Sequence, residues 1–186
     1  MNKIASKRII LREHSEKDFL GNYQNWLLDS EVMEHTDTSI NKTSPQELRA
    51  YVDNELSKGN IFLAVEDKDT SQHIGNLKIY NITIEDGIKI AEYSRFIGEK
   101  SFWGQGYGKE LGLLALDFCF NKLDIDVVKA GCRFDNKKAI ISNLKIGFNI
   151  TGVKEYEADN KIDTAYSLIF SLNKDYFILI YHSTRL

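Results

Sequence analysis

Proline occurs once in the 186 residues, at Pro45, and no stretch is rich in proline, glycine or serine. With no linker, repeat or low-complexity block to divide it, the chain reads as a single domain over residues 1–186, long enough to bury one core. Cysteine occurs twice, at Cys119 and Cys132. Both sit in apolar patterns without a CxxC or Cys/His spacing, which argues against a zinc module and for buried thiols. Long apolar runs are missing too: none approaches the roughly 20 residues that span a bilayer. The start, "MNKIASKRIILREHSEKD", has no apolar core of roughly 7–15 residues ahead of a cleavage site, so the expected location is cytoplasmic. Basic clusters are absent and the net charge is -3, so the chain lacks a nucleic-acid binder's footprint and a small or peptide-like partner is expected. His14, His35, His73 and His182 share no metal or triad spacing and read as surface or packing residues, with no metal site expected.

What is present is an alternation of short strand and helix signals. "RIILRE" reads as a first strand. Ser15 then caps a helix carrying Phe19, Leu20, Tyr23 and Leu27, with Asp18 placed as a capping-box acid. In "SPQELRAYVDNELSKG" the Ser44 N-cap, Pro45 at N1 and Glu47 at N3 announce a second helix, with Leu48, Tyr51, Val52 and Leu56 on one face and Gly59 at its stop. Three strands follow, from Ile61, His73 and Ile88, as a meander. A helix spans about Gly108 to Lys122 with Leu111, Leu114, Ala115 and Phe118 apolar. After it come a strand from Val127, a helix opened by "DNKK" and running through Lys145, and strands near Ile150–Tyr156 and Ala165–Leu172. The tail "DYFILIYHSTRL" fits either a last strand or a docked terminus. The expected class is α/β (α+β): a mixed, mostly antiparallel seven-stranded sheet flanked by helices.

Within "SFWGQGYGKELGLLALDFCF", Gly104, Gly106 and Gly108 stand at alternate positions just before a helix. Glycine admits positive φ and lets amides approach a ligand, and a helix N-terminus supplies unpaired N–H groups and a positive dipole end, so an anion such as phosphate is the natural occupant. A plain strand-to-helix turn explains one glycine, not three. A Walker A loop fails at Trp103 and Glu110, and a dinucleotide GxGxxG fails at Lys109 and follows a meander instead of a βαβ unit.

The segment "AEYSRFIGEKSFWGQGYGKELGLLALDFCFNKL", followed by "NKKAIISNLKIGF", resembles the GNAT superfamily of acyl-CoA-dependent N-acetyltransferases, in particular its ribosomal-protein N-acetyltransferase-like branch. "ILREHSEKD", "NWLLDSEVMEH", "FLAVEDKDTSQHIGNLKI" and "FNITGVKEYE" extend the similarity over nearly the whole chain, in order. One departure shows: the first position of the (Q/R)xxGx(G/A) loop is Trp103.

The resemblance implies a GNAT fold with splayed fourth and fifth strands, parallel to each other, and acetyl-CoA lying between them as cosubstrate. Its pyrophosphate would meet Trp103, Gly104, Gln105, Gly106, Tyr107, Gly108 and Lys109, mainly through backbone amides. Its pantetheine would pair with the strand holding Phe96 and Ile97 and approach Asn136, which is equally a good N-cap. An N–H between Tyr93 and Ile97 would serve as oxyanion donor. Glu92 is the candidate general base, because an alkylammonium with a pKa of about 10 must lose a proton before attack. The alternative is a structural pair of Glu92 with Arg95 or another cation. Asn143, a further catalytic candidate, stands where many family members place a tyrosine acid and would donate a hydrogen bond to the sulfur or to pantetheine, leaving Ser142, Tyr107 or water to assist the thiolate unless it departs unaided. Expected acceptors are primary amines on small molecules or at peptide N-termini, selected by "NWLLDSEVMEHTDTSINKT" and "VKEYEADNKID", with no nucleic-acid or membrane partner and a monomer or homodimer as the assembly. A noncatalytic acyl-CoA-binding regulatory module is the competing reading.

Overall fold

A computed structural model describes residues 4–35, 44–157 and 164–183. In chain order the elements are β1 (Ile4–Ala5), β2 (Ile9–Arg12), α1 (Glu16–Phe19), α2 (Tyr23–Leu28), α3 (Ser30–Met33), α4 (Pro45–Ser57), β3 (Ile61–Asp67), β4 (His73–Glu85), β5 (Ile88–Ile97), α5 (Tyr107–Asn121), β6 (Val127–Arg133), α6 (Lys137–Lys145), β7 (Asn149–Glu157), β8 (Thr164–Asn173) and α7 (Lys174–Ser183). One sheet runs β1-β2-β3-β4-β5-β6-β8-β7, antiparallel throughout except for β5 and β6. The expected class and the parallel central pair are present. The eighth strand is β1, two residues that pair with β2 through Ile4 and Leu11, too short to leave a period in the sequence.

Local chemistry sets the helix starts. Ser44 and Glu47 form a reciprocal capping box with Pro45 behind it, and Ser15 does the same with Asp18. Gly59, at φ 81°, takes the left-handed step after α4. The helix expected from Ser15 to Leu27 is instead two short ones, α1 and α2, parted at Leu20–Asn22, and Asp29 then recaps the chain for α3 by accepting from the N–H groups of Glu31 and Val32. The tail forms α7, capped by the Asn173 side chain accepting from the Tyr176 N–H at 2.8 Å. Phe177 docks on Phe120, with ring centroids 5.1 Å apart, so tertiary packing overrides the β-preferring sequence "YFILIY".

Strand alternation divides the sheet into two faces. Register rows Leu63–Leu77–Arg95 and Ile61–Ile79–Tyr93 lie on the face covered by α5, whose Leu111, Leu114, Ala115 and Phe118 are buried there. Phe62–Lys78–Ser94 and Tyr80–Glu92 lie on the other, where Phe19, Tyr23, Trp26, Leu48 and Val52 build a second cluster. Leu20 and Leu56, read as core-facing, are exposed.

Gly98, just past β5, is pressed against the second cluster: an added Cβ would lie 2.2 Å from the Trp26 ring. Gly98→Ala is therefore expected to lower stability by ~1–3 kcal/mol, seen as a lower urea midpoint with unchanged slope. A parental midpoint would show that Trp26 can move aside.

Candidate active site

β5 and β6 pair over only three rungs, Ile90–Val127, Ala91–Val128 and Glu92–Lys129. β5 continues to Ile97 bonded to β4, and β6 to Arg133 bonded to β8. From Tyr93 and Ala130 onward, two strand edges therefore face each other unpaired inside the sheet. Edges of this kind accept an added strand-like ligand. The side chains of Phe96 and Ile97 pack into the second and first clusters, so these residues offer the opening their backbone.

The glycine loop sits where β5 ends. Gly104 and Gly106 adopt φ 73° and 83°, and Gly106 is the N-cap of α5. A Cβ at Gly104 or Gly108 would meet nothing within 4 Å, and at Gly106 only the Arg8 guanidinium at 3.6 Å. Two glycines thus answer to backbone conformation, and Gly108 keeps open the space in front of the helix. The first helical bond runs from Glu110 N–H to the Gly106 carbonyl at 3.0 Å, so the N–H groups of Tyr107, Gly108 and Lys109 have no intrahelical acceptor. Gln105 and the Lys109 side chain are exposed at the rim. Trp103 closes the loop by donating its indole N–H to the Ile97 carbonyl at 2.8 Å.

Arg8 holds the loop from below. Its guanidinium donates to Glu110 at 2.7 Å and to the Gln105 carbonyl at 3.0 Å, and lies 4.1 Å from the centre of the Tyr107 ring. Tyr107, suggested by sequence as a substitute acid, turns its hydroxyl into the core. Its hydroxyl donates to Asp67 at 2.7 Å inside the core, and that bond, with burial, raises its pKa to about 12.

Glu92 stands at the last paired rung, on the α1/α2/α4 face. A β-bulge in β4 between Tyr80 and Thr83 turns Asn81 to φ 50°, and its amide donates to Glu92 at 3.1 Å. The Tyr80 hydroxyl also bonds Glu92. The alternative pairing with Arg95 does not form: the two lie on opposite faces of β5, and Glu92 has no ion pair among the described residues. Arg95 instead reaches the Tyr93 hydroxyl and, at 2.9 Å, the Ser142 hydroxyl.

On α6, Asn136 caps the helix by accepting from the Ala139 N–H at 2.9 Å, which leaves its amide NH2 as a donor. Asn143 is buried and Ser142 half-buried. Tyr80, Asn81 and Arg8 were not anticipated as site neighbours, and Arg95 was anticipated only as a partner for Glu92. The available signal for Arg95 was a cation at an inward position of an otherwise apolar strand. His14 and His73 lie within the aromatic cluster, ring centroids 5.8 Å apart, and burial holds His14 down at about 4. Both are packing residues, as expected; the His182 side chain lies outside the described residues. Cys119 is buried, and burial raises its pKa to about 12. A cavity of about 670 Å³ between α1, α4 and β3 includes none of the anticipated site residues.

Residues 8–149 match the family model of the acetyltransferase (GNAT) domain. The chain belongs to the GNAT acetyltransferase family. Among solved structures it is similar to the spermidine N-acetyltransferase from Vibrio cholerae, determined with CoA and spermine (TM-score 0.80, 18% identity, 93% of this chain and 99% of that one). It is also similar to the ribosomal-protein-S5-alanine acetyltransferase from Vibrio fischeri (0.78, 13%, 94% and 98%) and to a GNAT acetyltransferase from Bacillus anthracis (0.76, 17%, 93% and 99%). In this GNAT enzyme the loop and the parted strands fall within the matched residues.

The Arg8 clamp is testable through pH. Burial pushes the Glu110 carboxyl up, but hydrogen bonds from Ser6, the Arg8 backbone and the guanidinium prevail and hold its pKa below the ordinary range. A lowered carboxylate pKa stabilises the fold above the unfolded value of about 4.3 and stops doing so as pH falls through the folded one. Arg8→Met should cost about 1 kcal/mol at pH 7 and clearly less at pH 3, read from urea midpoints. Equal cost at both would mean that the guanidinium acts only by packing.

Proposed function

We propose that this GNAT enzyme transfers an acetyl group from acetyl-CoA to a primary amine, with Glu92 as general base. The observation that carries the proposal is the alignment of three features on one opening: unpaired amides at the start of α5, unpaired edges of β5 and β6, and a cation-free carboxylate at the last rung. What supports a CoA pyrophosphate at the loop is the space that a Cβ at Gly104 or Gly108 would fill, with free N–H donors behind it.

Bound acetyl-CoA supplies an activated acetyl group. The chain's residues do the rest. Amides of Gly106 to Lys109 hold phosphate, the backbone at Phe96 and Ile97 pairs with pantetheine, and an N–H between Tyr93 and Ile97 donates to the carbonyl oxygen. Glu92, steadied by Asn81 and Tyr80, takes the ammonium proton directly or through water. Solved relatives named for spermidine and for a ribosomal-protein alanine support an amine acceptor of either size. The two acceptor segments chosen from the sequence extend into residues 36–43 and 158–163, outside the described residues. The proposed enzyme is a single cytoplasmic domain, monomeric or homodimeric, with neither nucleic acid nor membrane as partner; no helix among the described residues is long and apolar enough to cross a membrane.

CoA at 100 times its dissociation constant should stabilise the parent by ~2.7 kcal/mol in a melting experiment, and Gly106→Val, strained at φ 83°, should abolish the shift. Equal shifts would remove the loop from the site. Glu92→Gln should retain CoA binding and lose ~10²–10⁴-fold in turnover at neutral pH, recovering partly as rising pH deprotonates the amine unaided. Parental rates from pH 6 to 9 would make Glu92 structural. A thiol-release and product-mass screen over polyamines, peptides and amino sugars identifies the acceptor. CoA binding without turnover on any amine would favour the noncatalytic module, the reading that Asn143 in place of a tyrosine supports.

A further inference from the structure

Arg95 is a cation without an anion. It projects from β5 on the α5/α6 side, beyond the last rung that joins β5 to β6. Its guanidinium donates to two neutral hydroxyls, those of Tyr93 and Ser142, and forms no ion pair among the described residues. A Cβ on Gly112 would come within 3.2 Å of its guanidinium carbon, so the glycine in α5 makes room for it. The titratable groups facing it are Tyr93 on its own strand and Cys132 across the opening on β6, with Asp135 beyond Cys132; α5 and α6 present only Gly112, Ile146 and Ser142. Arg95 is half-buried, and partial desolvation holds its guanidinium below the ordinary range, at about 10, with two neutral hydroxyls where a carboxylate would be the usual partner.

Such a charge is tolerable where an anion arrives during function. Acetyl transfer creates one. Glu92 has already taken the ammonium proton; as the neutral amine nitrogen bonds to the carbonyl carbon and the carbon–sulfur bond breaks, the electron pair of that bond leaves on sulfur as thiolate, and the second proton, on the now cationic nitrogen, passes to water. We propose that Arg95, held by Ser142, is the counter-charge that receives the departing CoA thiolate, in place of a tyrosine acid at position 143. This rests on the acetyl-CoA reading above. Ser142 then has a defined part: with its oxygen accepting from Arg95, its own O–H is free to donate toward the sulfur. Glu92 and Arg95 occupy opposite faces of one strand, so proton removal and charge reception proceed without the two groups neutralising each other.

The test is the titration of the thiol of bound CoA, followed by thiolate ultraviolet absorbance in the intact protein. In the parent the bound thiol should titrate at least one unit below free CoA, a tenfold gain in thiolate fraction below the free pKa. Arg95→Gln should return it to the free value or above, and Arg95→Lys should keep part of the depression. A bound thiol in the parent that titrates at or above the free value overturns the assignment whether or not the variants fold. So does a depression unchanged in Arg95→Gln. Absence of CoA binding by the parent, measured by calorimetry, would instead overturn the acetyl-CoA reading beneath it.

Discussion

The parting of β5 and β6 after three rungs is the constraint on which the site depends. Parallel neighbours need a crossover, here the loop and α5, and a crossover helix starts beside the end of the strand it leaves. The amides at the start of α5 therefore face the place where the two strands separate. Each strand stays anchored on its outer side, β5 to β4 and β6 to β8. The gap is thus framed by paired backbone and costs the sheet only the hydrogen bonds that a ligand can restore.

Alternation along β5 then sorts the chemistry. Even positions place Glu92 with Tyr80 and Asn81 on the face of α1, α2 and α4; odd positions place Tyr93 and Arg95 beneath α5 and α6. A one-residue slip in register would exchange the two sets and bury the carboxylate beside α5. Register is guarded by the bulge at Asn81 and by close backbone approach at Gly75, where a Cβ would lie 2.0 Å from the Phe96 carbonyl oxygen.

Features governed by neighbours in sequence were legible before the fold. The Ser15–Asp18 and Ser44–Glu47 boxes, the Gly59 stop, the apolar face of α5 and the glycine loop each depend on residues within a turn or two. What escaped was set at long range. α7 exists because Phe177 finds Phe120, β1 because β2 offers an edge, and the bond from Arg95 to Ser142 because α6 comes back against β5. The engagement of Tyr107 by Asp67, forty residues away, is of the same kind and could not be read from the loop.

The central claim is that one opening, bounded by the start of α5 and the inner edge of β5, holds the acyl donor. Backbone amide resonances followed during titration with CoA test it most directly. The account predicts the largest shifts at Gly106, Tyr107, Gly108 and Lys109 and along Tyr93 to Ile97, with β1 and β7 silent. Shifts concentrated at the cavity between α1, α4 and β3, with the glycine loop unmoved, would contradict it.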